Sequence, residues 1–178
     1  VNGIDDIRPL NYRHGGAIDA YGSAYTLDIL QERFAYVFEP YSVPRPQFWR
    51  PCLTARPIEG SFSVGSLEIQ SFQQEHGRMP SLGFRFGPFA YSTDAKSIPE
   101  EAFELLQGID TWIVDSLGDT PHPTHSHLEQ TLDWIERVKP RRAILTHLSH
   151  RVDYAELSAR LPAGVEPGFD GMVIDIPE

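Results

Sequence analysis

Cysteine is nearly missing from this chain. Cys52 is the sole one among 178 residues, so no intramolecular disulfide can form and no cysteine cluster can hold a metal. A reducing, cytoplasmic setting is the plain expectation. Long apolar runs are missing as well. Nothing approaches the roughly 18 residues of a membrane-spanning helix, so no membrane is expected as a partner. No signal-peptide pattern opens the chain, an absence that weighs little because residue 1 is Val and not Met. Cationic side chains are scarce: 15 Lys and Arg stand against 25 Asp and Glu, a formal net charge of −10. Gripping a phosphate backbone takes clusters of Lys and Arg. The Lys-Pro-Arg-Arg run at 139–142 is too short to be one. Nucleic acid is therefore disfavoured as a partner, and a small molecule is expected instead. No internal repeat and no low-complexity tract stands out.

What is present fits one globular domain over residues 1–178, with 40% apolar and 11% aromatic residues. Pro and Gly (15 and 14) are scattered, which favours many short elements. Residues 16–24 read as a short strand and turn. Residues 26–38 carry Leu27, Ile29, Leu30, Phe34, Val37 and Phe38 near helical spacing and read as one amphipathic helix. The Pro-rich stretch 41–51 reads as a loop. From Cys52 to Asp94 the pattern is strand-rich, with a Gly-Pro turn at 87–88 between two aromatic strands. Strands and helices then alternate. A helix is expected over 99–108, a buried strand over 111–117, and a helix over 127–138 with Ser126 as its cap. A buried strand over 142–148, a helix over 152–162 and a closing strand over 171–177 follow. This order predicts an α/β fold with helices on the outer faces of sheets.

Three residues stand where a strand runs out into a loop: His76, Asp94 and His147. Imidazole nitrogen and carboxylate oxygen are the usual ligands of zinc and its first-row neighbours. Each alone has an ordinary explanation. A histidine at the edge of a core is more often a hydrogen-bonded structural residue, and an aspartate after a strand is more often a turn former. The three histidines of Pro-His-Pro-Thr-His-Ser-His at 121–127 precede a helix and show no clear ligand spacing.

Taken together, strand–His-Gly, hairpin–Ser-Thr-Asp and strand–Thr-His-Leu-Ser-His resemble the later metal ligands of metallo-β-lactamase-fold hydrolases. Gly3-Ile4-Asp5-Asp6-Ile7-Arg8, the stretch 20–38 and the ending 166–176 are similar to the phosphodiesterase branch of that fold. The group of the phosphoribosyl cyclic phosphodiesterase is nearest, and tRNase Z is more distant. The resemblance implies an αββα sandwich, N-terminally incomplete here. It implies that His76 ligates one metal, that Asp94 bridges two, and that His147 ligates the other. The two ions, Zn or Mn, would generate a bridging hydroxide that attacks phosphorus in a small phosphodiester. A cyclic ribose phosphate is the favoured substrate. His125 would protonate the leaving group, which makes His125 and Asp94 the catalytic pair. The His-x-His-x-Asp-His loop of the fold does not occur in this chain. The expectation is that it lies just upstream of Val1, so that this chain by itself holds one ion or none and is inactive. Two other readings stay open: a hydrolase of the same fold acting on RNA, an ester, a thioester or a lactone, and a non-catalytic metal-binding module. Oligomeric state does not follow from the sequence; a homodimer is compatible with it.

Overall fold

The computed structural model describes residues 3–40 and 50–176. Most of the loop expected at 41–51 lies outside them. Contacts divide the chain into two compact units, residues 1–59 and 60–178. No helix among the described residues is long and apolar enough to cross a membrane.

In the first unit, a 3-10 turn (Ile4–Ile7) leads into α1 (Arg8–His14). Strand β1 (Ile18–Gly22) pairs in parallel with β2 (Leu53–Pro57). Between them lie α2 (Ala24–Arg33) and α3 (Ala35–Phe38). The single helix expected over 26–38 is thus two. Phe34 breaks it with φ −127° and ψ 42°, outside the helical region. Asn11, fully buried, ties α1 to β2: its amide donates to the carbonyl of Cys52, and its oxygen accepts from the Cys52 N–H.

The second unit is a seven-stranded sheet in sequential order from β3 to β9. Its strands are β3 (Ser61–Val64), β4 (Leu67–His76), β5 (Met79–Phe86), β6 (Phe89–Ser92), β7 (Thr111–Asp115), β8 (Arg142–Thr146) and β9 (Val165–Pro167). The first four are joined by short turns and pair antiparallel. β6 to β9 pair in parallel, and their crossovers carry α4 (Glu100–Leu105), α5 (Leu128–Val138) and α6 (Tyr154–Arg160). Parallel neighbours need such crossovers, whereas antiparallel ones need only a turn.

Register explains the core. Ala90 lies beside Trp112, Trp112 beside Ala143, and Val114 beside Leu145. Side chains alternate across a strand, so these share one face. They pack there with Phe103 and Leu106 of the α4 region, Trp134, Ile135 and Val138 of α5, and Leu157 of α6. Burying each large apolar side chain contributes roughly 1.5–3 kcal/mol. The fully buried Trp112 indole N–H donates to Ser92 Oγ at 3.0 Å, which removes the desolvation cost of that donor.

Within the strand-rich stretch, residues 62–74 fall in two strands of a hairpin, because Gly65 takes φ +61° and turns the chain. Two expectations need correction. Ser126 does not cap α5. Its hydroxyl donates instead to the buried Asp115 carbonyl at 2.7 Å, and the cap residue is His127. The closing strand is Val165–Pro167, earlier than expected; residues 172–176 take no regular structure, despite their apolar Met-Val-Ile run.

Candidate metal and acid–base centre

The strand ends of the second unit gather the polar groups. β4 and β5 meet in a two-residue turn, Gly77-Arg78, which leaves His76 at the last position of β4. Gly77 takes φ +66°, and a Cβ there would lie 2.6 Å from the Thr124 methyl. Glycine therefore lets the 118–127 loop close down on the hairpin. Asp94 follows β6 by two residues, and His147 follows β8 by one. Both take left-handed backbone conformations, φ +56° and +62°. Non-glycine residues seldom adopt that region, and where they do the surroundings must enforce it.

The three side chains come together. Asp94 Oδ1 lies 3.6 Å from His76 Nε2 and 3.5 Å from His147 Nε2. Two donors on one zinc ion, each at the usual bond length and at a tetrahedral angle, lie about 3.3 Å apart. The observed spacings are close to that, so the donor set fits a divalent ion on either side of Asp94. The carboxylate is about two-fifths exposed, which leaves room for further ligands.

His125 sits between these groups. Its ring centroid is 4.7 Å from that of His76 and 4.3 Å from that of His147. Its Nδ1 lies 3.0 Å from Asp115 Oδ2. Asp115 ends β7 and is fully buried; the same oxygen accepts the Ala95 N–H at 2.7 Å. Burial pushes the Asp115 carboxyl above its ordinary range, against the opposing pull of the His125 and Ala95 hydrogen bonds. The donor atoms of His76, Asp94 and His125 form one compact group, and those of Asp115, His125 and His147 form another. Asp115 Oδ2 is already committed to two hydrogen bonds. We therefore read Asp115 as the partner of His125 and not as a ligand.

Hydrogen bonds fix which ring nitrogen is available. His76 Nδ1 faces the Thr124 carbonyl at 2.8 Å, and a carbonyl only accepts, so Nδ1 carries the hydrogen and Nε2 presents a lone pair. The Asp115 carboxylate does the same for His125. Orientation of this kind is what a metal-binding or proton-transferring imidazole needs. His122 is set the other way, with Nδ1 accepting the Thr124 N–H at 3.3 Å. His122 thus stands 5.3 Å from the His125 ring with the hydrogen on Nε2, so that nitrogen presents no lone pair. His127 is half-buried at the start of α5, and its Nδ1 has no hydrogen-bond partner among the described residues.

Asp115 is a functional residue absent from the sequence-based candidates. Its available signal is its place at the C-terminal end of a buried parallel strand, where ligand-facing groups collect.

Paired imidazoles around a shared carboxylate, at the strand ends of an α/β sheet, form a donor set of the kind that holds a divalent ion. The model of the beta-lactamase superfamily domain matches residues 1–148, and the chain belongs to that family. Its fold is the metallo-β-lactamase type, as expected. A structure described as a new diphosphatase from the PhnP family is 31% identical, with TM-score 0.84; the match covers 96% of this chain and 63% of that one. The metallo-β-lactamase-fold protein YhfI of Bacillus subtilis is 14% identical with TM-score 0.71, over 96% of this chain and 70% of its own. A protein of Porphyromonas gingivalis named octanoyltransferase is 31% identical over 180 residues, which is all of this chain and 36% of that protein. The chain thus spans about a third of that curated relative and under two thirds of the diphosphatase.

Proposed function

We propose that the protein containing this chain is a metal-dependent hydrolase of small phosphodiesters. The observation that carries this is the placement of one carboxylate oxygen within 3.6 Å of two imidazole Nε2 atoms, with a third imidazole seated between them on a buried carboxylate. His76 and Asp94 would hold one divalent ion, Zn or Mn, and Asp94 and His147 a second. Ions there would supply a Lewis acid for phosphoryl oxygens and a source of nucleophile at neutral pH. The chain's own residues do the rest. His76 and His147 present their Nε2 lone pairs towards Asp94. His125 carries a proton on Nε2 when charged, and the Asp115 carboxylate stabilises that charge across 3.0 Å. From this position it would deliver the proton to a departing alkoxide, the role of a general acid. The 31% identity to a PhnP-family diphosphatase supports phosphoryl chemistry. The net charge of −10 favours a small substrate over a nucleic acid. A cyclic ribose phosphodiester is our first choice.

A relative named octanoyltransferase, of which this chain spans 36%, motivates a second reading, chemistry on an acyl group such as a thioester. One experiment separates them. The natural full-length protein, loaded with Zn or Mn, is offered a nitrophenyl phosphodiester, a cyclic ribose phosphodiester and an octanoyl thioester. Diester cleavage that stops on chelation and returns with metal supports the first reading. Thioester cleavage without diester cleavage replaces it with the second. No turnover of any of the three refutes both.

A further inference from the structure

We propose that Gln74 and Ser81 are positioning residues for Asp94, a reading that rests on the metal-holding role given to Asp94 above. Neither hydrogen-bonds to an imidazole among the described residues. They face each other across β4 and β5, where Gln74 pairs directly with Ser81. Gln74 is 1% exposed, an unusual place for a long polar side chain. Its amide nitrogen donates to Ser81 Oγ at 3.1 Å and to the Thr93 carbonyl at 3.1 Å. Ser81 Oγ in turn donates to the Asp94 carbonyl at 2.7 Å. The direction of this relay is forced. The Ser81 proton goes to a carbonyl, so Oγ must accept from Gln74. Flipping the Gln74 amide would set its oxygen against the Thr93 carbonyl.

The arrangement is kept although it leaves Gln74 Oε1 buried without a partner among the described residues. Native structures seldom tolerate such an atom for packing alone. Room for it comes from Gly83, where a Cβ would stand 2.7 Å from that oxygen. The next residues of the turn are held as well. Lys96 N–H donates to the Glu75 carbonyl at 2.6 Å, and Ala95 N–H donates to Asp115. The carbonyls of 93 and 94 have Gln74 and Ser81. Without these donors the left-handed Asp94 is free to relax towards the extended or right-handed regions that non-glycine residues prefer. Such a relaxation swings its carboxylate away from His76 and His147.

The test uses the natural full-length protein and its variants Ser81→Ala, Ser81→Thr and Gln74→Met. Zinc affinity is measured by competition with a chromophoric chelator. A crystal structure of the metal-free Ser81→Ala/Gln74→Met protein is solved alongside. Ser81→Ala and Gln74→Met should each weaken zinc binding on the order of 10–100-fold, the usual effect of losing a group that orients a ligand. Ser81→Thr keeps the hydroxyl and should restore wild-type affinity, which a loss of packing alone would not explain. Asp94 should leave the left-handed region in the double variant. Wild-type zinc affinity in both deletions, or an unmoved Asp94, overturns the proposal. A wild-type protein that binds zinc yet leaves every diester intact sinks the phosphodiesterase reading and leaves this one standing.

Discussion

Asp115→Asn is the most informative single change. Asparagine has nearly the shape of the aspartate. Its carbonyl oxygen can take the place of Oδ2 and still accept from Ala95 and His125. The amide then falls where Oδ1 stands, an atom with no hydrogen-bond partner among the described residues. Geometry is kept and the charge is lost. The carboxylate faces the His125 ring at 3.0 Å with both side chains largely buried. Charge centres about 4 Å apart, at an effective dielectric of about 20, attract by roughly 4 kcal/mol. Asparagine removes that attraction from the charged form of the imidazole, less whatever the amide dipole returns. We expect turnover of an alkyl phosphodiester to fall on the order of 10²–10³-fold, within the range a general acid supplies. A nitrophenyl diester, whose leaving group departs without a proton, should change little. Zinc content should not change. Equal losses on both substrates together with loss of zinc would make Asp115 a ligand. No loss on either would make the Asp115–His125 pair purely structural.

Three smaller predictions follow from single contacts. Gly77→Ala puts a methyl group into the Thr124 side chain at a left-handed φ, and should destabilise by about 1–3 kcal/mol in urea unfolding; adding Thr124→Ala should recover part of that, and simple additivity would show that the two do not meet. Ser92→Ala leaves the buried Trp112 indole N–H unpaired and should lower stability by about 1–3 kcal/mol, whereas a change near zero would mean that water replaces the hydroxyl. The Arg141 guanidinium holds the Asp110 carboxyl below its ordinary value of 3.8, helped by Thr111. Stability from this pair is present above that value and is lost as pH falls through the lower folded one, so Arg141→Gln should flatten the acid limb of a stability–pH curve, and an unaltered limb would refute it.

Much of this could be read from residues, and the exceptions have physical causes. β7 and β8 are buried on both sides and read as apolar runs, so their ends, and with them His147, were visible. The Gly87-Pro88 turn announced the hairpin that leads to Asp94. The strand at 171–177 was misplaced because apolar β-branched residues report only a preference for extended backbone, and a strand also needs a neighbour to pair with. The helix over 26–38 has the right apolar spacing, but spacing does not reveal that Phe34 leaves the helical region. Ser126 has the composition of a cap, yet a buried carbonyl competed for its hydroxyl. Asp115 was missed for a related reason. In the local sequence Trp-Ile-Val-Asp-Ser it is one more strand-ending aspartate, and only the fold shows that its partner is an imidazole ten residues away.

Anomalous scattering from crystals of the natural full-length protein, collected at the zinc and manganese edges, tests the metal centre most directly. Peaks should lie within about 2.3 Å of His76 Nε2, Asp94 and His147 Nε2, with His125 Nδ1 still on Asp115. Metal bound elsewhere, with Asp94 left unligated between the two histidines, would contradict the assignment of all three.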